Sequence, residues 1–322
     1  MHTILISGVT GFIGTALSTR LVSDGRVVRG VVRNPEKKAF LPSGVEPIVL
    51  RHSEDNTVLR EALSGVDTVI HLAARVHVMR EMSTDPLSDF RQINVLGTER
   101  LAIMASEQNV KRFVFLSSIG VNGAITDSRP FTEDDTPNPQ TAYAQSKWEA
   151  ERRLREIERR SPMEVVIIRS PLVYGPGNPG NFLELLNLVA RGFVLPFGSV
   201  KNLRSFIYLE NLVDSIVACA THPRAAGQTY VVCDGDDVST PELIRRIAFA
   251  LGRPARLIPF PPGLLRVAGR VVNKSAAMES LLGSLTVDCT KLRRETGWKP
   301  SYTMRDGLKA TAEWFTKSGV TF

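Results

Sequence analysis

The chain has 322 residues, 43% of them hydrophobic and 23% charged, with a formal net charge of +7. That is enough chain to bury a substantial core in one large or two modest domains, and no run reaches the ~18–20 apolar residues of a membrane span. Cys219, Cys233 and Cys289 are far apart and the histidines are scattered, so free thiols in a reducing, cytoplasmic setting are expected and a metal site is not.

The first residues, Met1-His-Thr-Ile-Leu-Ile-Ser7, lack the basic start and cleavage site of a secretion signal, and His2–Ser7 reads as a buried strand. It runs into Gly8-Val-Thr10-Gly11-Phe12-Ile13-Gly14 and then a helix over Thr15–Asp24. Three glycines at this spacing give a tight turn, backbone approach to a pyrophosphate, and close helix–strand packing. The helix N-terminus then faces the phosphates with unpaired N–H groups and its positive dipole end. A second strand, Arg26–Val32, ends at Arg33-Asn34. An acid about 20 residues past the turn selects NAD(H), but none occurs before Glu36. An arginine can pair with a 2′-phosphate, so Arg33 favours NADP(H), with NAD(H) the alternative.

Val45–Leu50 reads as a third strand and Asp67–Ala74 as a fourth. The latter ends on Leu72-Ala73-Ala74, small residues against which a cofactor can lie. A helix over Pro86–Glu107 would turn Leu87, Phe90, Asn94, Gly97, Leu101 and Met104 inward. Asn94, the only amide on that stripe, is expected to bond the backbone of a neighbouring loop. Lys111–Ser118 is a fifth strand, and the Ser118 hydroxyl at its carboxyl end can either form a turn or bond a substrate oxygen.

Thr141 opens a helix running to about Arg160, with Tyr143, Lys147, Ala150, Leu154 and Ile157 along one face. A phenol and an ammonium thus continue an apolar stripe, one turn apart. To exchange a proton near neutral pH the tyrosine must drop by roughly 3 units from its usual value of about 10, and a nearby cation is the usual cause. The outer face pairs Glu149 with Arg153, Glu151 with Arg155 and Glu156 with Arg160 at i,i+4. That describes a solvated helix face, not a nucleic-acid stripe, and the net positive charge suits an anionic small substrate. The alternation of strand and helix through Arg169 predicts an α/β fold with one doubly wound parallel sheet.

Gly8-x-x-Gly11-x-x-Gly14, His71-Leu-Ala-Ala74, Ser117-Ser118, Tyr143-x-x-x-Lys147 and Arg169-Ser-Pro171-Leu-Val-Tyr-Gly175-Pro176 occur in this order and spacing. Together they resemble the extended short-chain dehydrogenase/reductases of the nucleotide-sugar epimerase/dehydratase group, over essentially the whole chain. The resemblance implies a Rossmann-type dinucleotide-binding domain over 1–170 and a smaller, mainly substrate-binding lobe over 171–322, part of which returns to the sheet. It implies a catalytic Ser118, Tyr143 and Lys147: the serine holds the substrate oxygen, the tyrosine exchanges its proton, and the lysine lowers the tyrosine pKa and binds the nicotinamide ribose. Pro171 would border the nicotinamide. A homodimer through the 86–107 and 141–160 helices is expected on the same basis.

In the remaining chain Asn181 is expected to cap a helix reaching about Ala190, and it resembles the family's substrate-binding Asn. Arg204 resembles the arginine that grips the nucleotide diphosphate, although Ser205 stands where an acid is usual, and Met278 lies about where a second arginine is expected. Thr229–Cys233 reads as a strand added at the sheet's edge. Gly263–Leu285, apolar with scattered basic residues, is expected to pack on the substrate lobe, with a lid, a dimer face or a membrane-surface helix as alternatives. A 4,6-dehydratase of this group carries Asp-Glu after the serine; Ile119-Gly120 here has no proton to move. The expected reaction is therefore hydride transfer at C4 of a UDP-hexose, as NADP(H)-dependent reduction of a 4-keto-6-deoxy-N-acetylhexosamine. The alternatives are a UDP-glucose/UDP-N-acetylglucosamine 4-epimerase with tightly bound NAD, reduction of a steroid- or flavonoid-like ketone, and an NADP-sensing regulator without catalysis.

Overall fold

Residues 2–51, 55–76, 85–271 and 275–319 are described by the structure, a computed structural model. The elements run β1 (Thr3–Ser7), α1 (Phe12–Ser23), β2 (Val27–Val32), β3 (Val45–Val49), α2 (Asn56–Leu63), β4 (Thr68–His71), α3 (Pro86–Phe90) and α4 (Gly97–Glu107). Next come β5 (Arg112–Ser118), α5 (Ala142–Glu158), β6 (Glu164–Ser170), β7 (Leu172–Tyr174), α6 (Asn181–Ala190), β8 (Phe206–Tyr208), α7 (Leu209–Thr221) and β9 (Thr229–Val231). The last are α8 (Thr240–Ala250), α9 (Pro262–Val271), α10 (Ser275–Leu282), α11 (Thr290–Thr296) and α12 (Met304–Ser318).

A seven-stranded parallel sheet has the order β3-β2-β1-β4-β5-β6-β9. This is the α/β doubly wound, Rossmann-like arrangement the alternation predicted, and β9 joins its edge beside β6. Because successive strand side chains point to opposite faces, the runs Ile4-Leu5-Ile6 and Val165–Ile168 feed two cores. Ile4, Ile6, Val166 and Ile168 pack on the side of Leu17, Leu21 and Leu212. Leu5, Phe113, Val165 and Ile167 pack against Leu59, Leu101, Ala150 and Leu154. With helices over both faces, the strands read as continuous apolar runs. Beyond β6, β7 and β8 form a separate two-stranded parallel ladder.

Two local expectations change. The Pro86–Glu107 helix is interrupted by a wide i→i+5 turn over Arg91–Leu96. One extra residue per turn shifts the inward register, so Thr98 is buried beyond Asn94 and Gly97 is only half-buried. The i,i+4 pairs expected on α5 are also rearranged. Glu149 forms an ion pair with Arg91 at 2.6 Å, Arg153 lies near Glu156 and Glu99, and Arg155 pairs with Glu158 at 2.7 Å. Glu151 is turned inward. Long charged side chains took tertiary partners because the neighbouring helix offered them at shorter range.

Candidate active site

The sheet order reverses between β1 and β4, and the crevice at the carboxyl ends of strands beside such a reversal is where α/β folds bind ligands. The glycine turn closes there. Gly8 has φ +76°, and a Cβ on it would lie 2.7 Å from the Ala73 backbone nitrogen. A Cβ on Gly14 would lie 2.1 Å from the Gly8 carbonyl oxygen, and Gly11 N–H donates to that same oxygen at 3.0 Å. Gly11 caps α1 without any side-chain acceptor, so the first-turn N–H groups around Phe12 and Ile13, just past Thr10, are available to an anion. This cradle, which any added methyl would fill, fits a dinucleotide diphosphate. Leu72, Ala73 and Ala74 border it, held by a Leu72 N–H bond to the Ser7 carbonyl at 3.1 Å. Arg33 stands exposed where β2 ends. Asn34 caps the turn after it and bonds Glu36 at 3.3 Å, so the first carboxylate past the strand is engaged. Gly14→Ala is expected to destabilise the fold by about 1–3 kcal/mol through forced displacement of backbone. The purified variant should also carry less dinucleotide than the parent, read by absorbance of the denatured supernatant.

The helix α5 enters the same crevice by its N-terminal turn. Thr141 caps it, its hydroxyl accepting from Ala144 N–H at 3.1 Å. Tyr143 is half-buried with its ring edge-on to Phe90, centroids 6.1 Å apart. Lys147 is fully buried; its Nζ donates to the Leu116 carbonyl at 2.8 Å and lies 4.3 Å from the centre of the Phe115 ring. Ser118 ends β5, and its hydroxyl accepts from Gly120 N–H at 3.1 Å, which leaves its own proton for another acceptor. A Cβ on Gly120 would sit 3.3 Å from both Ser118 Oγ and Ala144 Cβ, so the turn after Ser118 packs beside Tyr143's neighbour in sequence. The turn after Ser118 and the first turns of the helix carrying Tyr143 and Lys147 thus pack together at the end of β5. The expected electrostatics do not follow from the protein alone. Burial pushes the Tyr143 phenol up to about 12, not down. Burial also lowers Lys147 to about 7, a shift that Glu151 opposes. A depressed phenol requires a charged ammonium beside it, and burial works against that charge.

Two buried networks that the sequence reading passed over support this geometry. Arg169 forms a two-pronged pair with Glu151, Nε to Oε1 at 3.1 Å and Nη2 to Oε2 at 2.7 Å, the side chains being 5% and 2% exposed. Ser117 Oγ donates to Glu151 at 2.5 Å, and Arg169 Nη1 donates to Asn122 at 3.0 Å. The signal was in the sequence: Glu151 follows Lys147 by four residues and belongs to the inward face, not the outer one. In the second network Ser7 Oγ and His71 Nδ1 are 2.5 Å apart, and His71 Nε2 lies 2.8 Å from Thr98 Oγ1. Burial drives His71 down to about 3, so the ring is neutral and ties β1, β4 and α4 together below the crevice. Asn94 behaves as expected, bonding the Arg75 backbone at both ends of its amide, at 2.8 and 3.0 Å, and Ser146 at 3.0 Å.

On the far side, Pro171 is buried directly after β6. A Cβ on Gly177 would lie 3.9 Å from Phe12 Cδ2, so the Gly175–Gly180 loop reaches the start of α1. Asn181 is not a cap: Gly180, at φ 104°, holds that position, and Asn181 is the exposed first helical residue. The positive φ there suits glycine, which displaced the cap by one residue. Arg204 is held on a segment that bridges Val238 on one side and Leu285 on the other, and its Nη1 donates to the Gly283 carbonyl at 3.1 Å. Burial lowers it to about 10, and no carboxylate pairs with it among the described residues. The acid missing at position 205 comes from elsewhere, since Ser205 Oγ donates to Asp237 at 2.5 Å. Met278 is half-buried on α10 and packs against the core, consistent with an apolar residue where a second arginine was sought.

The family model "NAD dependent epimerase/dehydratase family" matches residues 4–233. A Vibrio cholerae protein described as UDP-glucose 4-epimerase is 41% identical, covering 98% of this chain and 96% of that protein. An Escherichia coli O157:H7 protein, N-acetyl-alpha-D-glucosaminyl-diphospho-ditrans,octacis-undecaprenol 4-epimerase, is 28% identical over 99% of this chain and 98% of its own length. Among solved structures, MoeE5 in complex with UDP-glucose and NAD superposes with a TM-score of 0.79 at 27% identity, over 99% of this chain and 100% of that one.

Proposed function

Given that this chain belongs to the NAD-dependent epimerase/dehydratase family, the extended short-chain dehydrogenase/reductases that act on nucleotide sugars, we propose that it transfers a hydride at C4 of a UDP-hexose. We favour NADP(H)-dependent reduction of a UDP-4-keto-6-deoxy-N-acetylhexosamine. A dinucleotide held by the Gly8–Gly14 turn would supply the hydride. Ser118, its O–H still available, donates a hydrogen bond to the sugar C4 oxygen, a preorganised contact worth about 3–4 kcal/mol in comparable sites. Tyr143 gives that oxygen its proton, and Lys147 holds the ribose and stabilises the phenolate. Arg204, a half-buried guanidinium with donors to spare, suits the substrate diphosphate in geometry and charge. That contact is the same whether the diphosphate carries uridine or, as in the E. coli relative's name, a polyprenol. Ile119 and Gly120 lie where a dehydratase would need a proton-transferring pair. Exposed Ile93, Leu96 and Ile103 on the outer side of the Pro86–Glu107 helix support a homodimer through that face.

The observation that carries the reductive direction is Arg33, exposed at the β2 end with the nearest acid engaged by Asn34. The V. cholerae relative's description supports a second reading, 4-epimerisation with a retained NAD. Incubating the purified chain with UDP-glucose or UDP-N-acetylglucosamine and no added cofactor separates the two. The reductase reading expects no conversion there, and NADPH consumption with the 4-keto-6-deoxy substrate. Conversion without added cofactor establishes the epimerase instead.

A further inference from the structure

The helix α9 presents three faces. Leu265 and Gly269 are buried, and α9 packs on α10. Arg266 and Arg270 lie on a second face, where Arg266 pairs with Glu279 at 3.3 Å. At 100° per residue Leu264, Val267 and Val271 fall together on a third face, and they are 55%, 55% and 79% exposed. Three large apolar side chains in about 15 Å of helix are thus turned to solvent beside an arginine edge.

This face does not stand alone. The segment leading into α9 runs through exposed Ile258 and Phe260. Ile258 N–H donates to the Leu195 carbonyl at 3.1 Å and Leu195 N–H donates to the Arg256 carbonyl at 2.8 Å, which sets the exposed Phe193 and Val194 against the same strip. Charge is one-sided across it. Between Glu242 and Glu279 the sequence contains no Asp or Glu, while Arg253, Arg256, Arg266 and Arg270 all occur there; the stretch from Leu185 to Leu209 is likewise free of acids.

From this we infer that α9, with the apolar strip leading into it, is a membrane-surface element that seats this chain on an anionic bilayer, the apolar face at the acyl boundary and the arginines among the headgroups. The pattern, an apolar face edged by arginines with Glu279 the one carboxylate paired to them among the described residues, is the kind that binds interfaces. A protein partner would need a matching acidic rim, and a second copy of this chain would set arginine against arginine. The inference rests on the surface alone and is independent of the reaction at the crevice.

Flotation of the full-length chain with vesicles tests it, using phosphatidylcholine alone or with phosphatidylglycerol. Binding is expected with the anionic vesicles at low salt, and it should be lost in high salt as the charges are screened. Arg270→Gln should weaken it about fivefold, and Val267→Asp/Val271→Asp should reduce it to background. These positions lie outside the catalytic crevice, so an unchanged circular dichroism spectrum and unchanged turnover show that the variants are folded. No flotation of the parent with anionic vesicles overturns the proposal, as does flotation unaffected by the double aspartate. If light scattering shows the double variant dissociating a parent oligomer, the face is a subunit contact and the proposal fails.

Discussion

Tyr143→Phe is expected to lower turnover by about 10²–10⁴-fold, the range for loss of a positioned general acid, while its dinucleotide content stays that of the parent. The phenol is the group proposed to deliver the proton, and phenylalanine keeps the ring and its edge-on packing against Phe90. Turnover with the keto-sugar and dinucleotide content should be measured on the same preparation. A variant that retains more than about a tenth of parental turnover removes the tyrosine from the chemistry and leaves only the binding groove. Lys147→Met should lose both turnover and dinucleotide, since the amine is proposed to serve phenol and ribose together. Burial pushes the phenol up to about 12 and draws the amine down to about 7, so the pocket favours the charged form of neither. In the dry pocket neither group is ready alone, and the proton-transfer state needs the charge that the other stabilises.

Glu151→Ala is expected to cost about 3–5 kcal/mol of folding stability, because it leaves Arg169 charged and buried with no carboxylate. The pair is nearly inaccessible and two-pronged, so solvent does not screen it as it does a surface ion pair. Replacing both partners, Glu151→Leu with Arg169→Met, should recover most of the loss, since the burial penalty disappears along with the attraction. Urea denaturation midpoints of the three variants decide this. A single-variant loss below about 1 kcal/mol would place the pair among ion pairs that hold nothing. The recovered double variant should still be slower than the parent. Glu151 opposes the drop in the Lys147 pKa, and Ser117, one residue before Ser118, donates to it.

The reading from residues alone reached far into this molecule because its main features are local. A glycine turn between a buried strand and a helix, a strand ending on small residues, and a tyrosine and lysine one turn apart on an apolar stripe are each set by a few neighbouring residues. Parallel strands covered on both faces must be continuously apolar, so their positions are legible too. The errors fall where partners distant in the chain compete. The i,i+4 spacing pairs Glu149 and Glu151 with neighbours four residues away, but Glu149 pairs with Arg91 across the helix interface and Glu151 turns inward to Arg169. The wide turn at Arg91–Leu96 left no mark in the hydrophobic spacing, and Gly180 took the capping place given to Asn181.

By itself, the sequence determined the doubly wound sheet, the dinucleotide turn and the identities of Ser118, Tyr143 and Lys147 as candidates, because backbone geometry and periodic burial act over a few residues. Only the tertiary structure decided what surrounds them: that Lys147 donates a hydrogen bond to the Leu116 carbonyl, that half-buried Arg204 pairs with no carboxylate among the described residues, and that Leu264, Val267 and Val271 on α9 are exposed. Those are properties of desolvation and of partners far apart in the chain, and desolvation exists only once the chain has closed around a group.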